Sequence, residues 1–343
     1  MSSLNAHPRL PRWLTQLQQY SGEGQVATLP LISDGGLATL LERQGHDLSS
    51  SLWSARLLIE DPSAIVNAHL QFFEAGANIA TTASYQASIS GIQQLYPSYS
   101  RDDAAGVIRQ SVCLAKTARD QYRSTHSCDD ESPLLIAGSL GCYGAHLADG
   151  SEYSASYRDR VSVDELKSFH REKRRLLVEE GVDLLAYETI PCAKEVKAIA
   201  EIEVEEGGAS HTPAWVSVAC RSSTELNSGE DLLSSLSPLK HIPSIFGVGV
   251  NCSNPLIVAD VVTAIRRELP EKVVVAYPNS GEEWVGSTGE EKGGSWKDDT
   301  RVKGFAGLAK GWWKSGAGVV GGCCRVYPED ISKLTFELRR QDE

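Results

Sequence analysis

Apolar residues recur along the chain in two alternating patterns, a helical stripe that ends in Gly and a short unbroken apolar run just after that Gly. FFEAG followed by ANIATTASY, LVEEG followed by VDLLAYET, and WWKSG followed by AGVVGGCC are three instances. Gly closes a helix because it takes the left-handed turn at little steric cost, and a run without polar alternation suits a parallel strand buried on both faces. The pattern predicts strands at 30–33, 78–83, 134–138, 183–187, 214–219, 245–250, 273–277 and 318–322. Helices are predicted at 63–74, 102–122, 163–179, 192–206, 229–236, 254–268, 303–314 and 328–339. Eight alternating units in one chain predict an α/β fold, a single (β/α)8 TIM barrel. A doubly wound open sheet has the same alternation, but it ordinarily carries a phosphate-binding Gly turn after its first strand, and none is present.

The first 22 residues contain Arg9 and Arg12 and no acid. They are read as an N-terminal extension, 1–22, ahead of a barrel domain at 23–343, and both a frayed helix and an organellar transit segment fit them. With 343 residues, 41% of them apolar or aromatic, the chain can bury a large core. A formal charge of −12 repels phosphate backbones and anionic membranes, which argues against a nucleic-acid partner. No run approaches the roughly 18 apolar residues of a membrane span. Eight Cys scattered through a chain of this length do not form the framework of a small secreted domain, so a reducing, cytoplasmic setting is expected, with organellar targeting by residues 1–22 left open.

Functional groups of a barrel gather where its strands end. Here the predicted ends read Asp34-Gly35-Gly36, Ser84-Tyr85, Gly138-Ser139, Tyr187-Glu188-Thr189, Asn251-Cys252, Tyr277-Pro278-Asn279 and Cys323-Cys324. Strands six and eight are separated only by strand seven, so Cys252, Cys323 and Cys324 share one face. Three thiolates there would hold a tetrahedral Zn2+ and leave its fourth position open, the arrangement of a catalytic site. Buried core cysteines or a vicinal disulfide are the alternatives. Gly316, Gly318 and Gly321 also spell G-x-G-x-x-G, but they follow a helix and enter a strand, the reverse of a dinucleotide-binding turn. The eight His form no H-x-H or H-E-x-x-H pair, which disfavours an imidazole-ligated hydrolytic zinc. Asp34 and Glu188 fit either a structural ion pair or two carboxylates aimed at one ammonium. Tyr85 is a candidate to lie against a cation. The long connections at 141–160 and 279–301 are expected to be lids.

With DGG, GCYGAHLADGSEY, YETIP, GVNC, YPNSG and GGCC in these places, the chain resembles the zinc-dependent homocysteine S-methyltransferases over about residues 27 to 338. YPNSGE and the ETIP run bring it nearest the branch that takes methyl from S-methylmethionine or S-adenosylmethionine. The resemblance implies one Zn2+ per chain on Cys252, Cys323 and Cys324. It also implies that Asp34, Glu188 and the backbone after Gly35 hold the amino-acid end of homocysteine. Asn251, beside Cys252, is a further candidate for substrate contact, and Tyr85 and Asn279 for the pocket of the donor. The implied partners are small molecules, homocysteine and a methyl-sulfonium donor, with methionine the product, and the oligomeric state is not implied. Cys142 stands where many relatives carry Pro or Ser, and no ligand role is assigned to it. Two other readings stay open: a betaine donor, and a non-catalytic barrel whose structural zinc takes a fourth ligand, Cys220 being nearest by topology.

Overall fold

The computed structural model describes residues 29–50, 52–126, 133–208, 212–285, 295–297 and 300–340. The expected extension at 1–22 and the centre of the 279–301 connection lie outside them. Eight parallel strands form one sheet: β1 (Leu31–Ile32), β2 (Ile79–Thr81), β3 (Leu135–Gly141), β4 (Leu184–Ile190), β5 (Ala214–Val218), β6 (Ile245–Asn251), β7 (Val273–Tyr277) and β8 (Ala317–Val320). Their order is β1-β8-β7-β6-β5-β4-β3-β2. The two ends meet at a parallel Ser33–Ile79 bridge, supported by Asn78 N donating to the Ile32 carbonyl at 2.7 Å and Asp34 N to the Ile79 carbonyl at 2.9 Å. The sheet is therefore closed on itself, and the (β/α)8 expectation holds.

The outer helices begin where local chemistry dictates. Ser100 with Asp103, and Ser162 with Glu165, form reciprocal capping boxes at the starts of Arg101–Thr125 and Val163–Glu179. Asp61 caps Pro62–Glu74, whose first residue is the Pro that a helix start tolerates. Differences from expectation are local. The helix expected at 192–206 runs as Ala193–Ile202 and loosens into a π turn at Glu203–Gly207, and the one expected at 229–236 shrinks to Leu232–Leu236. Short helices at Leu37–Arg43, Ile89–Leu95 and Tyr143–Leu147 carry too few turns to show a periodic stripe. None of the helices among the described residues is long and apolar enough to cross a membrane.

The barrel interior explains where the site lies. Leu135 and Ala137 on β3, Leu184 and Ala186 on β4, Trp215 on β5, Val273 and Val275 on β7, and Val319 on β8 pack together inside the ring. Side chains on a strand return to the same face every second residue. The next inward positions are therefore Ser139, Glu188, Ser217 and Tyr277, and at that level the filling turns from apolar to hydrogen-bonding. β3 and β4, expected to stop at 138 and 187, run on to Gly141 and Ile190 because backbone pairing continues beyond the apolar run.

Candidate active site

The three thiols converge as the strand order requires. The Sγ atoms of Cys252, Cys323 and Cys324 all lie within 4.8 Å of one another, with Cys252 and Cys324 at 3.9 Å. All three are free thiols, so the vicinal-disulfide alternative is not adopted. The turn that carries the pair is fixed from β7: Cys323 N donates to the Pro278 carbonyl at 2.8 Å, and Cys324 N to Asn279 Oδ1 at 3.2 Å. Cys252 has a left-handed backbone, φ 49°, and hydrogen bonds from Cys323, Cys324 and Tyr153 hold its thiol well below the usual range. Such donors favour the thiolate. Cys220 lies outside the cluster, its amide bonded to Ser253 Oγ at 2.8 Å, so the described residues supply three ligands and no fourth.

Two carboxyl groups face this cluster from β1 and β4. Asp34 is buried, and it accepts Thr81 N at 2.7 Å and Thr81 Oγ1 at 2.8 Å. Burial pushes its pKa up to about 7 against the lowering effect of Thr81. Glu188 is buried too, and burial raises it to about 8, with the neighbouring negative groups of Cys323 and Asp34 adding to the rise. Ser139 Oγ donates to Glu188 Oε1 and Tyr277 OH to Oε2 at 3.2 Å. Tyr277 OH in turn receives Trp215 Nε1 at 3.1 Å and lies 2.5 Å from Ser217 Oγ. Gly35 and Gly36 make the corner possible. A Cβ at Gly35 would strike the Val326 carbonyl and the Phe72 ring, and one at Gly36 the Cys323 carbonyl.

A bulge aims Glu188. The β4–β5 register shifts between Tyr187 and Ile190, and Thr189 sits at φ 61°, a costly conformation for a β-branched residue. Asn251 holds it there: Thr189 N donates to Asn251 Oδ1 at 2.7 Å, and Asn251 Nδ2 to Thr189 Oγ1 at 2.8 Å. Both ends of the Asn251 amide are thus committed to the neighbouring strand. Replacing it, Asn251→Ala, removes two buried hydrogen bonds and leaves the strained turn unsupported, an expected loss of about 2 to 3 kcal/mol in a urea melt. An unchanged urea midpoint would contradict that role.

Tyr85 stands half-buried at the end of β2, its ring edge-on to Trp53 at 6.5 Å. The buried Lys173 ammonium fixes the turn by donating to the Ser84 carbonyl at 3.0 Å and the Tyr85 carbonyl at 2.9 Å. The 141–160 connection is folded down rather than open. Glu195 pins it, accepting Tyr143 N at 2.7 Å and the Tyr157 hydroxyl, with His170 Nε2 at 2.7 Å from the same carboxylate. This places Tyr153 against Cys252. Sequence reasoning placed Ser139 and Tyr277 at strand ends without giving them a role and passed over Ser217, although continuing the period-2 pattern of β3, β5 and β7 by one step reaches all three. Lys173 reaches the site from a helix whose pattern carries no such signal, and Tyr153 ends the GCYGAHLADGSEY run without a role having been read for it.

Comparison with known proteins agrees with this geometry. The chain is 39% identical over 313 residues to homocysteine S-methyltransferase 1 of Arabidopsis thaliana, covering 90% of this chain and 94% of that one. It is 37% identical over 315 residues to a selenocysteine Se-methyltransferase of Brassica oleracea var. italica, covering 90% and 88%. The metallated form of the homocysteine methyltransferase MmuM from Escherichia coli superposes with a TM-score of 0.77 at 34% identity, covering 90% of this chain and 96% of that one. A sequence profile described as Homocysteine S-methyltransferase matches residues 31–338, nearly the whole barrel, and the chain belongs to that family.

Proposed function

We propose that this enzyme transfers a methyl group from a sulfonium donor to the thiolate of homocysteine, forming methionine, with one Zn2+ on Cys252, Cys323 and Cys324. The observation that carries the reading is the cluster of three thiols within 4.8 Å, facing two buried carboxyls. A tetrahedral Zn2+ with Zn–S near ~2.3 Å spaces its sulfurs about 3.8 Å apart. The Cys252–Cys324 separation of 3.9 Å suits it. Three protein ligands leave the fourth position for an incoming thiol. Zinc bound there would act as a Lewis acid that holds a thiol as thiolate, a form that makes up only about 3% of a free thiol of pKa about 8.5 at neutral pH.

The protein's own residues supply orientation. Asp34 and Glu188 take the α-ammonium of homocysteine, and the backbone after Gly35 lies beside its carboxylate. Asn279 and Asn251 shape the pockets from behind, through Cys324 and Thr189. Tyr85 offers a ring to the donor's cation. As the acceptor sulfur bonds to the methyl carbon, the donor's carbon–sulfur bond breaks and its electron pair stays on the donor sulfur, which becomes a neutral thioether. Opposite charges vanish together, so a dry site favours the reaction, and holding both sulfurs in line with the methyl contributes roughly 7 to 11 kcal/mol. Free thiols at this centre suit a reducing compartment.

For the donor, S-methylmethionine ranks first, S-adenosylmethionine second and betaine third, because an amino-acid-sized second pocket fits the polar strand ends without an adenine site. Initial rates of methionine formation with the three donors at equal concentration and homocysteine saturating are expected in that order, and a preference for betaine would reverse it. Selenocysteine belongs in the same assay as a rival acceptor, given the name of the Brassica relative. Metal-edge absorption separates catalysis from structure: a new zinc–sulfur contact on adding homocysteine is expected, whereas an unchanged shell of four protein ligands would refute the reading.

A further inference from the structure

The folded-down 141–160 connection carries a carboxylate that the reaction outlined above does not use. Glu152 belongs to the short helix Ser151–Ser154. Its backbone is held closely: a Cβ at Gly144 would collide with the Glu152 amide, and Asn227 Nδ2 donates to the Glu152 carbonyl at 3.4 Å. Glu152 Oε2 is sealed from solvent and has no hydrogen-bond partner among the described residues. A buried carboxylate oxygen without a donor is costly, and a ligand that brought a donor to it would offset that cost. Its surroundings say which kind. Glu152 acts electrostatically on Tyr85, Tyr153 and Cys252. Asp34 and Glu188 instead feel Cys323 and, in the case of Glu188, Asp34. The acids therefore act on different groups of the thiol cluster. One pair acts on Cys323, and the single Glu152, next in sequence to Tyr153, acts on Cys252 and two tyrosines, and a carboxylate beside aromatic rings suits a cation.

We propose that Glu152, with Tyr85 and Tyr153, forms the subsite that recognises the positively charged methyl donor, its carboxylate paired with a cationic group of that donor. The inference rests on the assigned methyl transfer, and it adds that donor and acceptor are read by different acids. It makes Glu152 a specificity determinant for the donor alone. An acid that merely supported the connection would affect both substrates.

The test compares zinc-loaded wild type, Glu152→Gln and Glu152→Asp, with S-methylmethionine as donor. Glu152→Gln is expected to raise the donor KM by about 30-fold, in the range of a lost charge-assisted hydrogen bond. The homocysteine KM and zinc content should stay within about threefold of wild type, and Glu152→Asp should recover part of the loss. Trimethylsulfonium, which carries the sulfonium and no ammonium, distinguishes the two cations: weaker competition by it in Glu152→Gln assigns the carboxylate to the sulfur, and unchanged competition assigns it to the ammonium. A donor KM unchanged in Glu152→Gln, or both KM values rising together, overturns the proposal. Should Glu152→Gln fail to fold, Glu152→Asp alone must still raise the donor KM selectively, and failure to do so is equally decisive against it. Calorimetric titration of S-methylmethionine reads the same preference without turnover. A protein that binds the donor through Glu152 yet methylates no homocysteine would refute the assigned reaction and keep the subsite.

Discussion

Replacing any one thiol of the cluster is expected to leave a folded barrel that neither retains zinc nor makes methionine. Cys323→Ala shows most directly why. Cys323 is the least buried of the three, and it packs at the margin of the interior cluster, so its loss opens no large cavity in the core. Two remaining thiolates do not complete a zinc site of this type. With metal gone, the acceptor falls back to the few per cent of thiolate that a free thiol offers, and it also loses the anchor that sets its sulfur in line with the methyl. The second loss is the larger, since orientation is worth roughly 7 to 11 kcal/mol against a population effect of about thirtyfold. Turnover should therefore drop below detection, with less than about a tenth of an equivalent of zinc retained and a thermal midpoint within a few degrees of metal-free wild type. Metal analysis, a methionine assay and a melting curve on one preparation check all three. Full activity in metal-free Cys323→Ala would remove the basis of the mechanism.

The barrel was legible in the chain because its strands are unbroken apolar runs set off by helix-ending glycines, and a parallel strand buried on both faces leaves just that trace. The thiol cluster was legible for a topological reason: Asn251-Cys252 and Cys323-Cys324 end strands with one strand between them, whatever the 70 residues of intervening sequence do. Where reading stopped short, it stopped at residues whose neighbours are set by packing. Ser139 and Tyr277 were read as strand ends, but only their bonds to Glu188 show what they do in the site. Lys173 sits on the inner face of an otherwise charged helix and reaches carbonyls 88 and 89 positions away. The Asn251 amide pointed to substrate by its place next to Cys252, while the strained Thr189 that occupies it follows from a bulge that no pattern announces.

The carboxyl pair yields the second large effect, with a pH signature. In the unfolded chain Asp34 and Glu188 ionise near about 4, whereas in the folded protein they hold their protons to about 7 and about 8. Folded protein thus binds more protons than unfolded protein through that window. These two groups contribute stability that is fully present below about pH 4 and is lost as pH rises through 7 and 8. An ammonium entering between them reverses the preference, because it pairs with the ionised forms. Binding must then expel protons. Zinc with three thiolates still carries a net negative charge, so the metal centre does not remove the neighbouring repulsion. Methionine isolates the effect, since it brings the ammonium and no thiol proton. Its affinity for the zinc-loaded protein is expected to rise by about tenfold or more from pH 6 to pH 8, with proton release visible as a dependence of calorimetric heat on buffer. Glu188→Gln should flatten the upper half of that rise. It should also weaken homocysteine binding by about 10- to 100-fold, the range for one charge-assisted hydrogen bond, while zinc content stays the same. The wild type should discriminate by a similar factor against 4-mercaptobutyrate, which lacks the amino group, and the Glu188→Gln protein should discriminate much less. If wild type methylates that thiol as efficiently as homocysteine, Asp34 and Glu188 do not read the ammonium and the acceptor side of the site must be reassigned.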